Sequence, residues 1–175
     1  KKSEDKMMSY STDEGHSYGE ARIYGIEDLF NSENYIIWCA GEKDRLQLKQ
    51  QGYNACTVTA GEGLFKNEWA VLFKNKTVYI CLDNDETGKN ASITVAEKLY
   101  KITDTRIIYL PDEVGEKGDV SDYFGRLGHD KSEFDELMQK ATRYKYESLQ
   151  SDEGEVFEVH LSEASLSKFA GKKVK

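Results

Sequence analysis

Seven residues carry the side chains from which this sequence could build a reaction centre. In "YICLDNDETGKNA" (79–91) an apolar run ends in Asp83 and Asp85, with Gly88 and Lys89 close behind. Carboxylates two positions apart share an orientation wherever the backbone stays extended. Gly88 permits close backbone approach, Lys89 adds a compact cation, and a helix starting here would turn a positive end toward an anion. Glu42 and Asp44 follow the apolar "YIIWCA" (35–40), and Asp119 and Asp122 lie in "GDVSD" (118–122). Carboxylate oxygens suit magnesium, which keeps several of its waters and so leaves room for a phosphate. Solvated turns are the bland alternative, because aspartate and asparagine are common there.

Whether these carboxylates meet depends on the elements that carry them. "YIIWCA" (35–40), "ACTVTA" (55–60), "TVYICLD" (77–83) and "TRIIYL" (105–110) are short β-branched or aromatic runs and predict four strands, with the third central. Between them, "EKDRLQLKQQ" predicts a helix stopped by Gly52. Phe65, Trp69, Leu72 and Phe73 predict another over about 64–74, and Ala91, Val95 and Leu99 one over about 88–101. Strands alternating with helices imply a mostly parallel sheet covered on both faces. Ligands bind such sheets at the carboxyl ends of the strands, where three of the four predicted strands lead into acidic loops. Phe134, Leu137, Met138, Ala141 and Tyr144 mark a C-terminal helix.

Residues 1–20 are polar and predict a mobile lead-in, with a hairpin suggested near "SYSTDEGHSYGEARIY". A folded domain is expected over 21–147 and a linker or tail over 148–175, in which the alternation of "VFEVHL" fits an edge strand at 156–161. The chain opens on lysine, and both ends are charged and poor in large apolar residues, so a piece of a longer protein is expected. No window nears the roughly 18 apolar residues of a membrane span, and no signal-peptide pattern is present, so a cytoplasmic source is expected. Cys39, Cys56 and Cys81 are odd in number, widely spaced and set in apolar runs, which reads as buried thiols rather than a zinc site. The three histidines are equally scattered. A net charge of −8 argues against broad phosphate-backbone binding, and clustered carboxylates awaiting a cation would produce the same balance.

Other chemistries test poorly on the same letters. "DNDET" satisfies the Asp-x-Asp-x-Thr pattern of haloacid-dehalogenase-type phosphatases, but "PDEVGEK", not an apolar strand, precedes the later acidic motif. No P-loop is present, and "GEGLFK" lacks the full glycine pattern of a dinucleotide fingerprint.

The segments "YIIWCAGEKD", "YICLDNDETGKNA" and "EKGDVSDYF", in that order and spacing, resemble the TOPRIM domain of bacterial and phage primases, especially the primase-helicase-like proteins of phages and mobile elements. The resemblance covers roughly residues 20–125. It implies a Rossmann-like α/β fold with a mostly parallel four-stranded sheet flanked by helices. It also implies a magnesium- or manganese-dependent nucleotidyl or phosphoryl transfer on nucleic acid, of the DNA primase type. DNA or RNA and nucleotides would be the partners, along with zinc-binding and helicase-like domains of the same chain. By motif, Asp83 and Asp85 match the metal-binding pair, Asp44 the aspartate after the first strand, Lys89 a basic nucleotide-contacting position, and Asp119 and Asp122 a later acidic element. One position departs. The family has a glutamate, its presumed acid-base residue, where this sequence has Ala40, and Glu42 is the nearest carboxylate that could replace it. A catalytically degenerate TOPRIM that only binds nucleic acid or a partner is therefore the alternative reading.

Overall fold

A computed structural model describes residues 21–59 and 63–145, together with two strands at 147–150 and 156–159. Strands β1 (Ile23–Tyr24), β2 (Tyr35–Cys39), β3 (Ala55–Val58), β4 (Thr77–Cys81), β5 (Asp104–Ile107) and β6 (Thr142–Arg143) form one sheet in the order β1-β3-β2-β4-β5-β6. The four inner strands are parallel, as the alternation of strands and helices requires, and the two-residue edge strands β1 and β6 run antiparallel to their neighbours. The expected four-stranded sheet is thus the centre of a six-stranded one. Neither edge strand is long enough to leave a sequence period. Strands β7 (Glu147–Gln150) and β8 (Val156–Val159) pair antiparallel as a separate two-stranded sheet.

Helices α1 (Ile26–Asn31), α2 (Glu42–Gln50), α3 (Glu86–Leu99) and α4 (Lys131–Lys140) complete the fold, with a 3-10 segment at Asn67–Phe73 and a π-helical turn at Asp122–Arg126. Gly52 sits at φ +86° directly after α2, the left-handed geometry that ends a helix and that glycine takes without strain. The predicted helix over 64–74 is instead the 3-10 segment. Phe65, just before it, and Trp69 and Phe73 within it still pack with Trp38, at ring-centroid separations of 5.0, 6.4 and 5.9 Å. The C-terminal helix stops at Lys140, before Tyr144, because the chain turns into β6; Tyr144 then packs edge-on against Tyr100. The apolar residues divide between the two faces of the sheet. One face buries Ile36, Trp38, Val78 and Ile80 beneath α3 and the 3-10 segment, and the other buries Ile37, Cys39, Cys81 and Phe134. All three cysteines are free and buried, as their apolar settings predict.

Helix α2 is held from its side by charge. Arg45 donates to Asp28 of α1 at 3.0 Å and to the Ala55 carbonyl at 3.1 Å, and it lies over the Tyr24 ring; Glu27 and Lys49 extend the network. Asp28 and Arg45 are 2% and 5% exposed, so each ion depends on the other for the interactions that burial removed from water. This fixes the helix whose first turn carries Glu42 and Asp44.

Candidate metal centre

Strands β2 and β4 are in direct register, with Cys39 opposite Cys81, so their carboxyl ends finish level and hand the chain to two different loops side by side. Past β2 the backbone passes Ala40 and Gly41 into α2, which puts Glu42 and Asp44 in its first turn. Past β4 it passes Leu82 and Asp83 into α3, whose N-cap is Asp85. The cap is built by the side chain: Asp85 Oδ1 accepts the Gly88 N–H at 2.8 Å, satisfying one of the orphan donors of the helix start. Gly88 is demanded by packing, because a Cβ there would lie 2.2 Å from the Asp83 carbonyl oxygen.

Ala40, Gly41, Glu42, Lys43, Asp44, Asp83 and Asp119 line one open cleft of about 420 Å³ at these strand ends. Asp119 arrives from the loop after β5, and that loop is pinned to the other two. The Asn84 N–H donates to the Gly118 carbonyl at 2.9 Å. Ser121 donates to Asp44 Oδ1 twice, from its N–H at 3.0 Å and from its hydroxyl at 2.8 Å. Asp44 is 4% exposed. Burial, followed by the Asp119 charge, holds its carboxyl above the ordinary range, and the two Ser121 bonds offset part of that rise. Directly beneath, the Cys39 thiol is pushed well up, by burial first and then by Asp44, so it is a packing residue and not a nucleophile.

The sequence-predicted residues therefore divide. Glu42, Asp44, Asp83 and Asp119 share the cleft, as does Ala40 at the departing position. Asp85, Asp122 and Lys89 do not line it. Asp85 caps α3, Asp122 pairs with Arg126 at 3.1 Å, and Lys89 stands in the first turn of α3. The Arg126 bond, as the main cause, lowers the Asp122 carboxyl. Sequence reasoning passed over Ser121 and Lys43. Ser121 stood inside a quoted motif, but nothing in "DVSD" shows that the hydroxyl turns inward toward a residue 77 positions earlier.

The donor set fits a hard divalent cation in its chemistry. Three aspartates face one opening, one of them buried beside another's charge, and such crowding is relieved by a cation. Among the described residues, no three Asp, Glu, His or Cys side chains stand together closely enough to hold a metal ion as placed. Also among the described residues, no helix is long and apolar enough to cross a membrane.

Comparison with known proteins agrees with this geometry. The Toprim-like family profile matches residues 38–124. The fold is similar to the zinc-binding and RNA polymerase domains of Aquifex aeolicus primase (25% identity, TM-score 0.56), over 69% of this chain and 30% of that one. It is similar also to a DNA primase domain from Pseudomonas aeruginosa (23% identity, TM-score 0.54), over 69% of this chain and 38% of that one. A third similar structure is a bacteriophage T7 assembly of lagging-strand DNA polymerase with primase domains (22% identity, TM-score 0.55), over 66% of this chain and 59% of that one. The chain thus spans less than two thirds of each of these structures. No curated protein sequence matches it.

Proposed function

We propose that residues 38–124, which match the Toprim-like family profile and resemble DNA primase domains in fold, hold magnesium or manganese in the cleft and serve phosphoryl or nucleotidyl transfer on nucleic acid. The observation that carries this reading is the meeting of Asp44, Asp83 and Asp119 at the carboxyl ends of adjacent parallel strands. A divalent ion bound there would supply the charge that polarises a phosphoryl oxygen and favours deprotonation of an attacking hydroxyl. Asp44 from α2 and Asp83 from the β4 tip would hold it, with Asp119 from the third loop. Asp85 and Asp122 act one step away, by capping and by pairing with Arg126. Glu42 is the proton acceptor in this scheme, being an exposed carboxylate two residues after Ala40 on the same cleft lining. Lys43, on the cleft wall, supplies a cation for an approaching phosphate, whereas Lys89 stands outside the cleft lining. Nucleotides and a DNA or RNA strand are the proposed partners. The Aquifex aeolicus structure joins zinc-binding and RNA polymerase domains, which supports the view that this domain works beside others.

Ala40 favours a second reading. A methyl group lines the cleft at the place of the family's acid-base residue, so the domain would bind a cation and nucleic acid without turnover. Primer synthesis on a single-stranded template with manganese and ribonucleotides separates the two. Products that vanish in Asp83→Asn support the enzyme. Manganese binding without products supports the binding module, and neither binding nor products removes both.

A further inference from the structure

We propose that Ser121 is a positioning residue that aims Asp44 into the cleft, an inference that rests on reading the cleft as a cation site. A buried carboxylate needs donors, and Asp44 takes its two described ones on a single oxygen, both from one residue: the Ser121 N–H at 3.0 Å and hydroxyl at 2.8 Å, each onto Oδ1. Two donors on one oxygen fix the rotation of the carboxylate plane. The other oxygen, Oδ2, is left on the Gly41 side, 4.0 Å from where a Cβ at Gly41 would stand, and Gly41 is part of the cleft wall. Without the hydroxyl, a single backbone donor remains and the plane can turn.

The same short stretch reaches the other strand tip. Gly118 accepts the N–H of Asn84, the residue after Asp83, at 2.9 Å, and the Gly115 carbonyl accepts from Asn84 Nδ2 at 3.4 Å. Asp119, between these contacts and Ser121, accepts the Asp122 N–H on Oδ1 at 2.7 Å, which fixes its own carboxylate. Residues 118–121 therefore tie together the three loops that bring Asp44, Asp83 and Asp119 to one opening, and Ser121 is the tie to Asp44. Partners that orient a metal ligand in this way typically change affinity by about 10–100-fold when removed.

The test is manganese binding by the full 175-residue chain, followed through the free-ion paramagnetic resonance signal well below the unfolding temperature, with circular dichroism to verify folding. Ser121→Ala should weaken binding roughly tenfold, or about 1.4 kcal/mol, and Ser121→Thr, which keeps the hydroxyl, should restore it. A purely structural hydroxyl predicts otherwise: Ser121→Ala would lower the melting temperature and leave affinity at the parent value, and that result overturns the inference. Should Ser121→Ala not fold, Ser121→Cys, with its weaker donor, takes its place and must show the same loss. If the parent itself binds no manganese, the cation reading of the cleft falls, and this inference with it.

Discussion

Replacing Gly88 by alanine should destabilise the domain, against the usual effect of that change in a helix. Alanine inside a helix gains about 1 kcal/mol over glycine from intrinsic propensity, and Gly88 lies in the first turns of α3 with no positive φ to protect. The new methyl, however, would sit 2.2 Å from the Asp83 carbonyl oxygen and 2.9 Å from two further Asp83 backbone atoms. Bringing the first contact from 2.2 to 3.0 Å already requires the helix and the β4 tip to separate by at least about 0.8 Å. Both are backbone, so no side-chain rotation absorbs the shift. Overpacking of this kind costs about 1–3 kcal/mol, and a clash against main chain belongs at the upper end, leaving a net loss of about 2 kcal/mol. Urea denaturation measures it through the midpoint at constant slope. Gly125→Ala is the control, since a Cβ there meets nothing within 4 Å, and it should be neutral or slightly stabilising. Because the displaced group is Asp83, the folded Gly88→Ala protein should also bind manganese less tightly. A Gly88→Ala protein as stable as the parent would refute the packing argument and the role of Gly88 in placing Asp83.

Three further outcomes follow from the same contacts. Asp28→Ala leaves Arg45 as a buried cation short of its main partner and should cost about 3–5 kcal/mol in the same denaturation experiment. His129 presents Nε2 to Glu113 at 2.9 Å and Nδ1 to Glu133 at 3.0 Å while stacking on Tyr123, a geometry that satisfies both carboxylates only when both ring nitrogens carry hydrogen. The Glu133 bond, first among the causes, raises its pKa above the ordinary 6.5. Its contribution is therefore complete below pH 6.5 and lost as pH climbs through the raised folded value, and His129→Gln should remove that slope from stability measured against pH. Ala40→Glu adds a carboxylate to the cleft wall and should tighten manganese binding on the order of tenfold by calorimetry; unchanged affinity would mean that position 40 does not face the ion.

The parts of this fold that announced themselves in the sequence are those with a period or a punctuation mark. "TVYICLD" and "YIIWCA" read as strands, the first of them central, because burial on both faces makes such strands largely apolar. Gly52 ended α2 where it stands because its positive φ is costly for other residues. The acidic loops follow from strand polarity, which by sequence alone groups Glu42, Asp44, Asp83 and Asp119 at the carboxyl ends of the strands. Short elements held by tertiary contacts were not legible. Strand β1 has two residues, and α1 is a six-residue turn held by the ion pairs of Asp28 and Glu27 to Arg45, whose partners lie 17 and 18 positions apart. The same limit explains Asp85, Lys89 and Asp122. Sequence spacing brings them near the strand tip, whereas one cap hydrogen bond and one ion pair occupy two of them beside the cleft. The lead-in at 1–20 lies outside the described residues, apart from the end of the suggested hairpin, where Ile23 and Tyr24 become β1.

The central claim is that the β2 and β4 tips form a divalent-cation site, and crystals soaked in manganese test it most directly through anomalous scattering. The account predicts a single peak inside the cleft, bounded by the carboxylates of Asp44, Asp83 and Asp119, with further density for bound water, and loss of that peak in Asp44→Asn crystals. A peak at Asp122 and Arg126 or on the outer face of α3, or a cleft that stays empty at saturating manganese, would contradict it.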